Sequence, residues 1–327
     1  MLKKMKVLSL FDGISCGLQA LKGLNIPIEK YYASEIDKYA IEVSKKNHPE
    51  IIQLGDIENW KEWDIEWDEI DMVIGGSPCT NLSFAGDRTN LVGKYSSLFF
   101  VYSSILEHLR KINPKILFLL ENVKMDSESY QTITRLMRVE GVRINSNIFS
   151  AQNRDRIYWT NIPIIELPHP TEIVLKDIIR EEDNLNQRLA VSKKHHEAWL
   201  KNYKWKHNDI NDKSKPLLAS YYKQPPHCPY IIYRNEVENE GVLKESIYRR
   251  LSPIECERLQ TLPDNYTLVI DEKGKENSAT QRYKMIGNGW TVAVIRHIFS
   301  SLKEEIFISQ DECSTSFMRP KILGVEK

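Results

Sequence analysis

Short apolar runs alternate with helical patterns across the first half of this chain. Such alternation is typical of a parallel sheet covered by helices on both faces. The predicted helices are Ser15–Leu24, Ile36–Asn47, Leu98–Lys111 and Glu128–Gly141. The predicted strands are Lys6–Phe11, Lys30–Ser34, Ile51–Gln53, Asp71–Gly75, Lys115–Leu120, Ile144–Ser150 and Arg156–Thr160. We therefore predict an α/β fold with a doubly wound, mostly parallel sheet.

The pattern changes after Pro163, where a polar, basic and proline-rich stretch without clean periodicity begins. Helical signals return at Ser252, which supplies a helix N-cap and is followed by Pro253 at the first helical position. A last helix is predicted at about Thr291–Glu304 and must pack on another element. We predict three parts: a main domain at 1–163, a small insert at 164–248 and a returning segment at 249–327.

Composition excludes several classes of protein. The 327 residues are 41% hydrophobic, enough for a full core, and no apolar run approaches the roughly 18–20 residues of a membrane span. The five cysteines include no CxxC pair, so neither a disulfide framework nor a zinc site is indicated. We expect a cytoplasmic protein, without metal or membrane, and monomeric by default.

Charge is informative only in its distribution. The formal net charge is zero, yet the stretch from Asn184 to Arg234 contains ten Lys and Arg against three Asp and Glu, together with seven aromatic residues. Cations for phosphates and flat rings for bases suit a nucleic-acid surface. A solvated lobe with its own small aromatic core explains the same composition. Both interpretations stay open.

The ends of the first three predicted strands indicate a nucleoside site. Phe11-Asp12-Gly13 forms a glycine turn after the first strand, at the sheet edge where ligands bind. It lacks the GxGxxG pattern of pyrophosphate sites, so a ligand without phosphate is favoured. Glu35 follows the second strand, where a carboxylate can bind ribose hydroxyls, and Asp56 follows the third, where it can accept from an adenine amine.

The next two strand ends indicate catalysis. Gly75-Gly76-Ser77-Pro78-Cys79 follows an apolar strand, so the sulfur of Cys79 is expected at the ligand edge, where a thiolate can act as a nucleophile. Glu121 ends the neighbouring apolar strand and brings a carboxyl group to the same edge. A buried structural cysteine and a glutamate that caps the next helix are the alternatives.

Taken in order along the chain, these segments resemble the cytosine-5 DNA methyltransferase family. Pro78-Cys79 followed by Thr80-Asn81 is most similar to the animal de novo enzymes and their bacterial and phage relatives. The other matching segments are Phe11-Asp12-Gly13 with Gly17, Glu35, Asp56, Glu121-Asn122-Val123, Gln152 to Arg156, Arg250 to Gln260 and Gly287-Asn288-Gly289. Ile14-Ser15-Cys16 and Thr80-Asn81 depart from the commoner family pattern, without removing a catalytic group.

The resemblance implies a Rossmann-like sheet of the S-adenosylmethionine-dependent methyltransferase type with a target-recognition insert. It implies methylation of carbon 5 of a cytosine flipped out of duplex DNA, of the kind found in restriction-modification systems. Cys79 would attack the base and Glu121 would bind it, with Arg156 at the pyrimidine oxygen and Arg154 in support. The cofactor would be bound by Phe11, Asp12, Gly13, Glu35, Ile36, Asp56, Pro78, Leu98 and Asn288.

Three rivals remain. A tRNA cytosine-5 methyltransferase could use the same scaffold, but its Cys-Phe-Thr segment is absent from this sequence. A DNA-binding accessory protein without catalysis is disfavoured by the presence of Cys79, Glu121 and Arg156. A nicotinamide-dependent dehydrogenase would need the phosphate-binding glycine pattern that the first turn lacks. The DNA recognition sequence cannot be derived from these residues.

Overall fold

The computed structural model describes residues 4–78, 94–202, 207–237 and 243–302. Cys79 and most of the loop before α3 lie outside the described residues. The first half contains the helices α1 (Cys16–Gly23), α2 (Lys38–Asn47), α3 (Lys94–Ile112) and α4 (Ser127–Met137). Its strands are β1 (Met5–Leu10), β2 (Ile28–Ser34), β3 (Ile52–Gln53), β4 (Met72–Gly75), β5 (Leu117–Asn122), β6 (Val142–Asn145) and β7 (Asp155–Thr160).

Among the described residues these seven strands form one sheet in the order β3-β2-β1-β4-β5-β7-β6. The pairs from β3 to β5 are parallel, whereas β7 is antiparallel to both β5 and β6. The order reverses between β1 and β4, which makes the carboxyl edge beside these strands the expected ligand site. The prediction of a doubly wound, mostly parallel sheet is confirmed.

Hydrophobic clusters cover both faces of the sheet, as a parallel sheet requires. Every residue of β1 is buried, and successive side chains enter opposite clusters because strand side chains alternate. Val7 packs with residues of α1, α2 and α8 (Val292–Phe299), whereas Leu8 packs with residues of α3 and α4. Since α8 contacts α1, the end of the described chain lies against its beginning.

The second half contains α5 (Lys193–Asn202), an antiparallel hairpin of β8 (Tyr230–Val237) and β9 (Leu243–Arg250), α6 (Pro253–Leu259) and α7 (Ala279–Asn288). A third cluster joins Trp199, Tyr221 and Tyr230 from the predicted insert to Leu259 and Tyr283 from α6 and α7. The predicted insert therefore shares its core with the segment after residue 248. The three-part division of the chain stays a prediction.

The structure decides part of the question raised by the basic, aromatic stretch. Trp199, Tyr221 and Tyr230 are buried, so for these three the small aromatic core is the correct interpretation and a base-stacking surface is wrong. The side chains of Tyr203, Trp205 and Tyr233 lie outside the described residues.

Several predicted boundaries were wrong for local reasons. The strand predicted at Ile144–Ser150 ends at Asn145, whose side chain accepts hydrogen bonds from the backbone N–H groups of Asn147 and Arg154 and so starts a turn. Helix α4 stops at Met137 because Arg138 adopts a left-handed φ of 62°. The Ser252 cap is confirmed, with a reciprocal hydrogen-bonded box to Glu255. Within the described ranges, no helix combines the length and apolar character needed to cross a membrane.

Candidate active site at the carboxyl edge of the sheet

The turn after β1 has an unusual backbone. Phe11, Gly13 and Ser15 all have positive φ, at 57°, 58° and 59°. Only glycine adopts this region without strain, and strained residues cluster at functional sites. The turn is tied to the next strand by the Asp12 N–H, which donates to Ser34 O at 3.1 Å.

The Asp12 carboxylate accepts hydrogen bonds from three hydroxyl groups of the protein. Oδ1 accepts from Ser9 Oγ at 2.7 Å and from Tyr31 Oη at 2.9 Å, and Oδ2 accepts from Ser15 Oγ. Burial raises the pKa of Asp12 to about 6, although the three hydroxyl donors oppose this shift. The structure therefore places Asp12 beneath the glycine turn, where it shapes the backbone that a ligand would meet.

Glu35, which directly follows β2, is hydrogen-bonded to the same turn. Oε2 accepts from the Gly13 N–H and Oε1 from the N–H groups of Ile36 and Asp37, each at 2.8 Å. Ile36 is 73% exposed, which is unusual for a large apolar side chain next to a binding turn. These contacts bring the predicted residues Gly13, Glu35 and Ile36 into one corner of the edge.

Asp56 and Leu98 complete this corner. Asp56 follows β3 and caps the short turn Ile57–Glu62 by accepting from the Glu58 N–H at 3.0 Å. Leu98 on α3 packs against the same hydrophobic cluster as Phe11. Asn288 is exposed at the end of α7, and that helix is linked to the N-cap of α2 by the ion pair of Lys284 with Asp37 at 2.7 Å.

The exit of β4 is closely packed up to the last described residue. A Cβ at Gly75 would lie 2.7 Å from Leu10 O, so glycine is required there by the close approach of β1. Ser77 is buried and its hydroxyl accepts from Asn122 Nδ2 at 3.2 Å. Pro78 is half-buried and precedes Cys79 directly. The chain is thus anchored to β5 immediately before the predicted nucleophile.

Glu121 on β5 lies between two hydrogen-bond donors. Arg156 Nε is 2.9 Å from Oε1, and Trp290 Nε1 donates to Oε2 at 3.1 Å. The Glu121 side chain is 12% exposed and the Arg156 side chain 16%, so both are largely removed from water and both can be reached from this edge. The alternative in which Glu121 caps the next helix is wrong, because Asp126 is the N-cap of α4.

Arg154 is buried. Nη1 donates to Leu217 O at 2.8 Å, and Nη2 donates to the carbonyls of Gly287 and Gly289 at 2.9 and 3.1 Å. Burial, and secondarily the charge of Arg156, lowers the pKa of Arg154 to about 9. The Arg154 guanidinium therefore links the predicted insert to the end of α7 by donating hydrogen bonds to backbone carbonyls of both.

Two residues near the centre were missed by sequence reasoning. Trp290 contacts Glu121 from the opposite end of the chain, 169 residues away. Gln260 is buried and donates from Nε2 to Ile286 O and to Gly289 O, each at 3.0 Å. Gln260 is the last residue of the segment Arg250 to Gln260, and Trp290 directly follows Gly287-Asn288-Gly289, but neither residue was assigned a role.

Comparisons with known proteins agree with this geometry. Residues 5–304 match the family model described as C-5 cytosine-specific DNA methylase. The chain is 27% identical over 333 residues to the type II methyltransferase M1.ScrFI of Lactococcus lactis subsp. cremoris, covering 92% of this chain and 78% of that protein. It is 30% identical to the orphan methyltransferase M.SPRI of Bacillus phage SPR, covering 76% of this chain and 56% of that protein.

Solved structures show the same fold. A Dnmt2 methyltransferase of S. pombe superposes with a TM-score of 0.65 at 18% identity, covering 93% of this chain and 99% of that one. The methyltransferase EhMeth of Entamoeba histolytica superposes with a TM-score of 0.69 at 18% identity, with the same coverage of both chains. At this identity the likeness establishes the fold.

Proposed function

This chain belongs to the C-5 cytosine-specific DNA methylase family, and we propose that it transfers a methyl group from S-adenosylmethionine to carbon 5 of a flipped-out cytosine in duplex DNA. Family membership and the α/β methyltransferase fold make it an enzyme of S-adenosylmethionine-dependent cytosine methylation. The single observation that supports the finer proposal is the Glu121–Arg156 pair at the end of β5. The next residue, Asn122, donates a hydrogen bond to Ser77 in the segment that leads into Cys79.

The corner formed by the first three strand ends fits the cofactor. A Cβ at Gly13 or Gly55 would meet no atom within 4 Å, so both turns border open space. Glu35 and Asp56 supply acceptors for ribose hydroxyls and an adenine amine, and Phe11 and Ile36 supply apolar surface for the adenine ring. We assign supporting contacts to Asp12, Gly13, Pro78, Leu98 and Asn288. When bound, the cofactor supplies an electrophilic methyl group on a sulfonium.

In the proposed mechanism the Cys79 thiolate forms a bond to C6 of the cytosine, which must first leave the base stack. The electron pair of the C5–C6 double bond then becomes available at C5, which takes the methyl group. Removal of the C5 proton returns an electron pair to the ring and breaks the bond from C6 to Cys79. The products are 5-methylcytosine, S-adenosylhomocysteine and one proton.

Glu121 and Arg156 would stabilise the charge that the attack creates. Glu121 can bind N3 and the exocyclic amine together, because a carboxyl group offers one donor when protonated and one acceptor. Arg156 would bind the pyrimidine oxygen, since Nη1 is anchored on Asp155 O at 2.8 Å and fixes the direction of the guanidinium. Arg154 would act indirectly, by fixing the carbonyls of Gly287 and Gly289.

A transfer assay tests the proposed substrate. The protein is incubated with labelled S-adenosylmethionine and either duplex DNA or tRNA, and the label is mapped to the base. We expect label at carbon 5 of cytosines in duplex DNA and none in tRNA. Labelled tRNA with unlabelled DNA would establish an RNA enzyme on the same scaffold, and transfer to neither would indicate an accessory role. Bisulfite sequencing of DNA from expressing cells would then give the recognition sequence.

A pH dependence of cofactor affinity is expected from Asp12. With a pKa of about 6, the group is ionised at pH 7.5 and mostly protonated at pH 5.5. The substrate cofactor carries a sulfonium charge that the product lacks. Its affinity relative to that of S-adenosylhomocysteine should therefore fall about two- to threefold as the pH drops, because a charge interaction of ~1 kcal/mol is lost in the protonated fraction. Calorimetric titration of Asp12→Asn should show a ratio that no longer depends on pH; an unchanged dependence would contradict the assignment.

A further inference from the structure

Trp290 has no role in the mechanism above, yet its indole lies against the carboxyl group that the mechanism needs. We propose that Trp290 is a positioning residue: its indole N–H holds Glu121 Oε2 as the acceptor oxygen and leaves Oε1 to carry the proton toward N3 of the base. This inference rests on the proposed function. Both oxygens are engaged before any base arrives, Oε2 by Trp290 at 3.1 Å and Oε1 by Arg156 at 2.9 Å.

The two donors are held differently. The residues on either side of Trp290 are both hydrogen-bonded to Gln260. Gly289 O accepts from Gln260 Nε2 at 3.0 Å, and Thr291 Oγ1 donates to Gln260 Oε1 at 2.7 Å. Among the described residues, Arg156 donates to one backbone carbonyl, that of Asp155, in addition to its pair with Glu121. An incoming base can therefore displace Arg156 from Oε1 more readily than it can displace the indole from Oε2.

A glycine makes room for the contact between the indole and the carboxyl group. A Cβ at Gly76 would lie 2.9 Å from Trp290 Nε1 and 3.0 Å from Glu121 Oε2, so a methyl group there would stand against both partners of the hydrogen bond. Gly76 is thus required for the indole and the carboxyl group to meet, and Gly76→Ala should separate them.

The contact can be measured without DNA or cofactor. The protein has seven tryptophans, so labelling with ¹⁵N-indole gives few resonances, and the one lost in Trp290→Phe identifies Trp290. We expect its indole N–H shift, measured at one fixed pH, to move in Glu121→Gln, because the hydrogen bond from Trp290 then ends on an amide oxygen in place of a carboxyl oxygen.

Kinetics test the consequence for the reaction. Trp290→Phe keeps the ring but loses the donor, and we expect kcat to fall about tenfold, as for one lost hydrogen bond to a charged group, with KM for DNA and cofactor nearly unchanged. Trp67→Phe is the matched control, since Trp67 stacks on Trp63 before the start of β4, and it should leave kcat unchanged.

The outcomes separate this inference from the proposed function. An indole shift that is the same in Glu121→Gln as in the wild-type protein, or a Trp290→Phe kcat within twofold of the wild-type value, would overturn the positioning role while methyl transfer stands. Absence of transfer by the wild-type protein would overturn the proposed function, and the resonance would still show whether the contact exists. Gly76→Ala provides the second variant: it retains the indole, and adding Glu121→Gln to Gly76→Ala should leave the Trp290 resonance where it is.

Discussion

Cys79→Ala should abolish methyl transfer while leaving binding of S-adenosylmethionine largely intact. The substitution removes the only atom that can form the bond to C6 in the proposed mechanism, and loss of a covalent nucleophile costs on the order of 10³-fold or more in kcat. In the proposed function the cofactor is bound at the strand ends that carry Phe11, Glu35 and Asp56, which the substitution does not touch. Transfer of labelled methyl groups and calorimetric titration measure the two properties.

A trapped adduct gives a second readout of the same prediction. In DNA that contains 5-fluorocytosine the final removal of a proton from C5 is impossible, so the protein should remain covalently attached and survive denaturing electrophoresis. Cys228→Ala is the matched control, because burial raises the pKa of the Cys228 thiol to about 12 and makes it a poor nucleophile. An adduct formed by Cys79→Ala, or one lost in Cys228→Ala alone, would contradict the assigned nucleophile.

Arg249→Met should destabilise the protein by about 3–5 kcal/mol, the usual cost of leaving one partner of a buried ion pair uncompensated. Arg249 Nη1 and Nη2 lie 2.7 and 2.8 Å from the two carboxylate oxygens of Glu255, and both side chains are 0% exposed. Glu255 also accepts from the N–H groups of Ser252 and Arg180, so it joins the cap of α6 to the predicted insert. Urea unfolding measures the loss.

Two further variants test the physical reason for that loss. Arg258 lies on α6 with Glu255 and forms a bidentate pair with Asp264, in which the side chains are 33% and 45% exposed. Arg258→Met should therefore lower the free energy of unfolding by no more than about 1 kcal/mol. Adding Glu255→Gln to Arg249→Met removes the stranded charge but keeps an acceptor for the cap, so the double variant should be more stable than the single one. Equal or lower stability of the double variant would show that lost packing, and not charge burial, dominates.

Much of the candidate site could be predicted because the position where a strand ends is set by a few neighbouring residues. The apolar runs that form β1, β2 and β5 end at polar residues, and parallel strands bring their carboxyl ends to one edge. Gly13 and Glu35 were placed at this edge from their sequence positions, and the structure joins them by a hydrogen bond of 2.8 Å. Glu121 likewise lies where its strand was predicted to end.

Other features could not be predicted because they depend on contacts between distant segments. Arg154 directly precedes β7 and Arg156 lies on it, and the sequence offers no reason to bury the first on backbone carbonyls and pair the second with Glu121. The hairpin of β8 and β9 was missed because Tyr230 and Ile231 are both buried, which hides the alternation that marks a strand with one exposed face.

The sequence by itself determined the α/β class and the residues that stand at the ends of the strands, because the length and period of apolar runs are encoded within a few neighbouring residues. Only the tertiary structure decided which of those residues meet. Trp290 reaches Glu121 across 169 residues because α7 and α8 return to the sheet and pack beside α2 and α1. That return follows from the shape of the whole core, which no local pattern specifies.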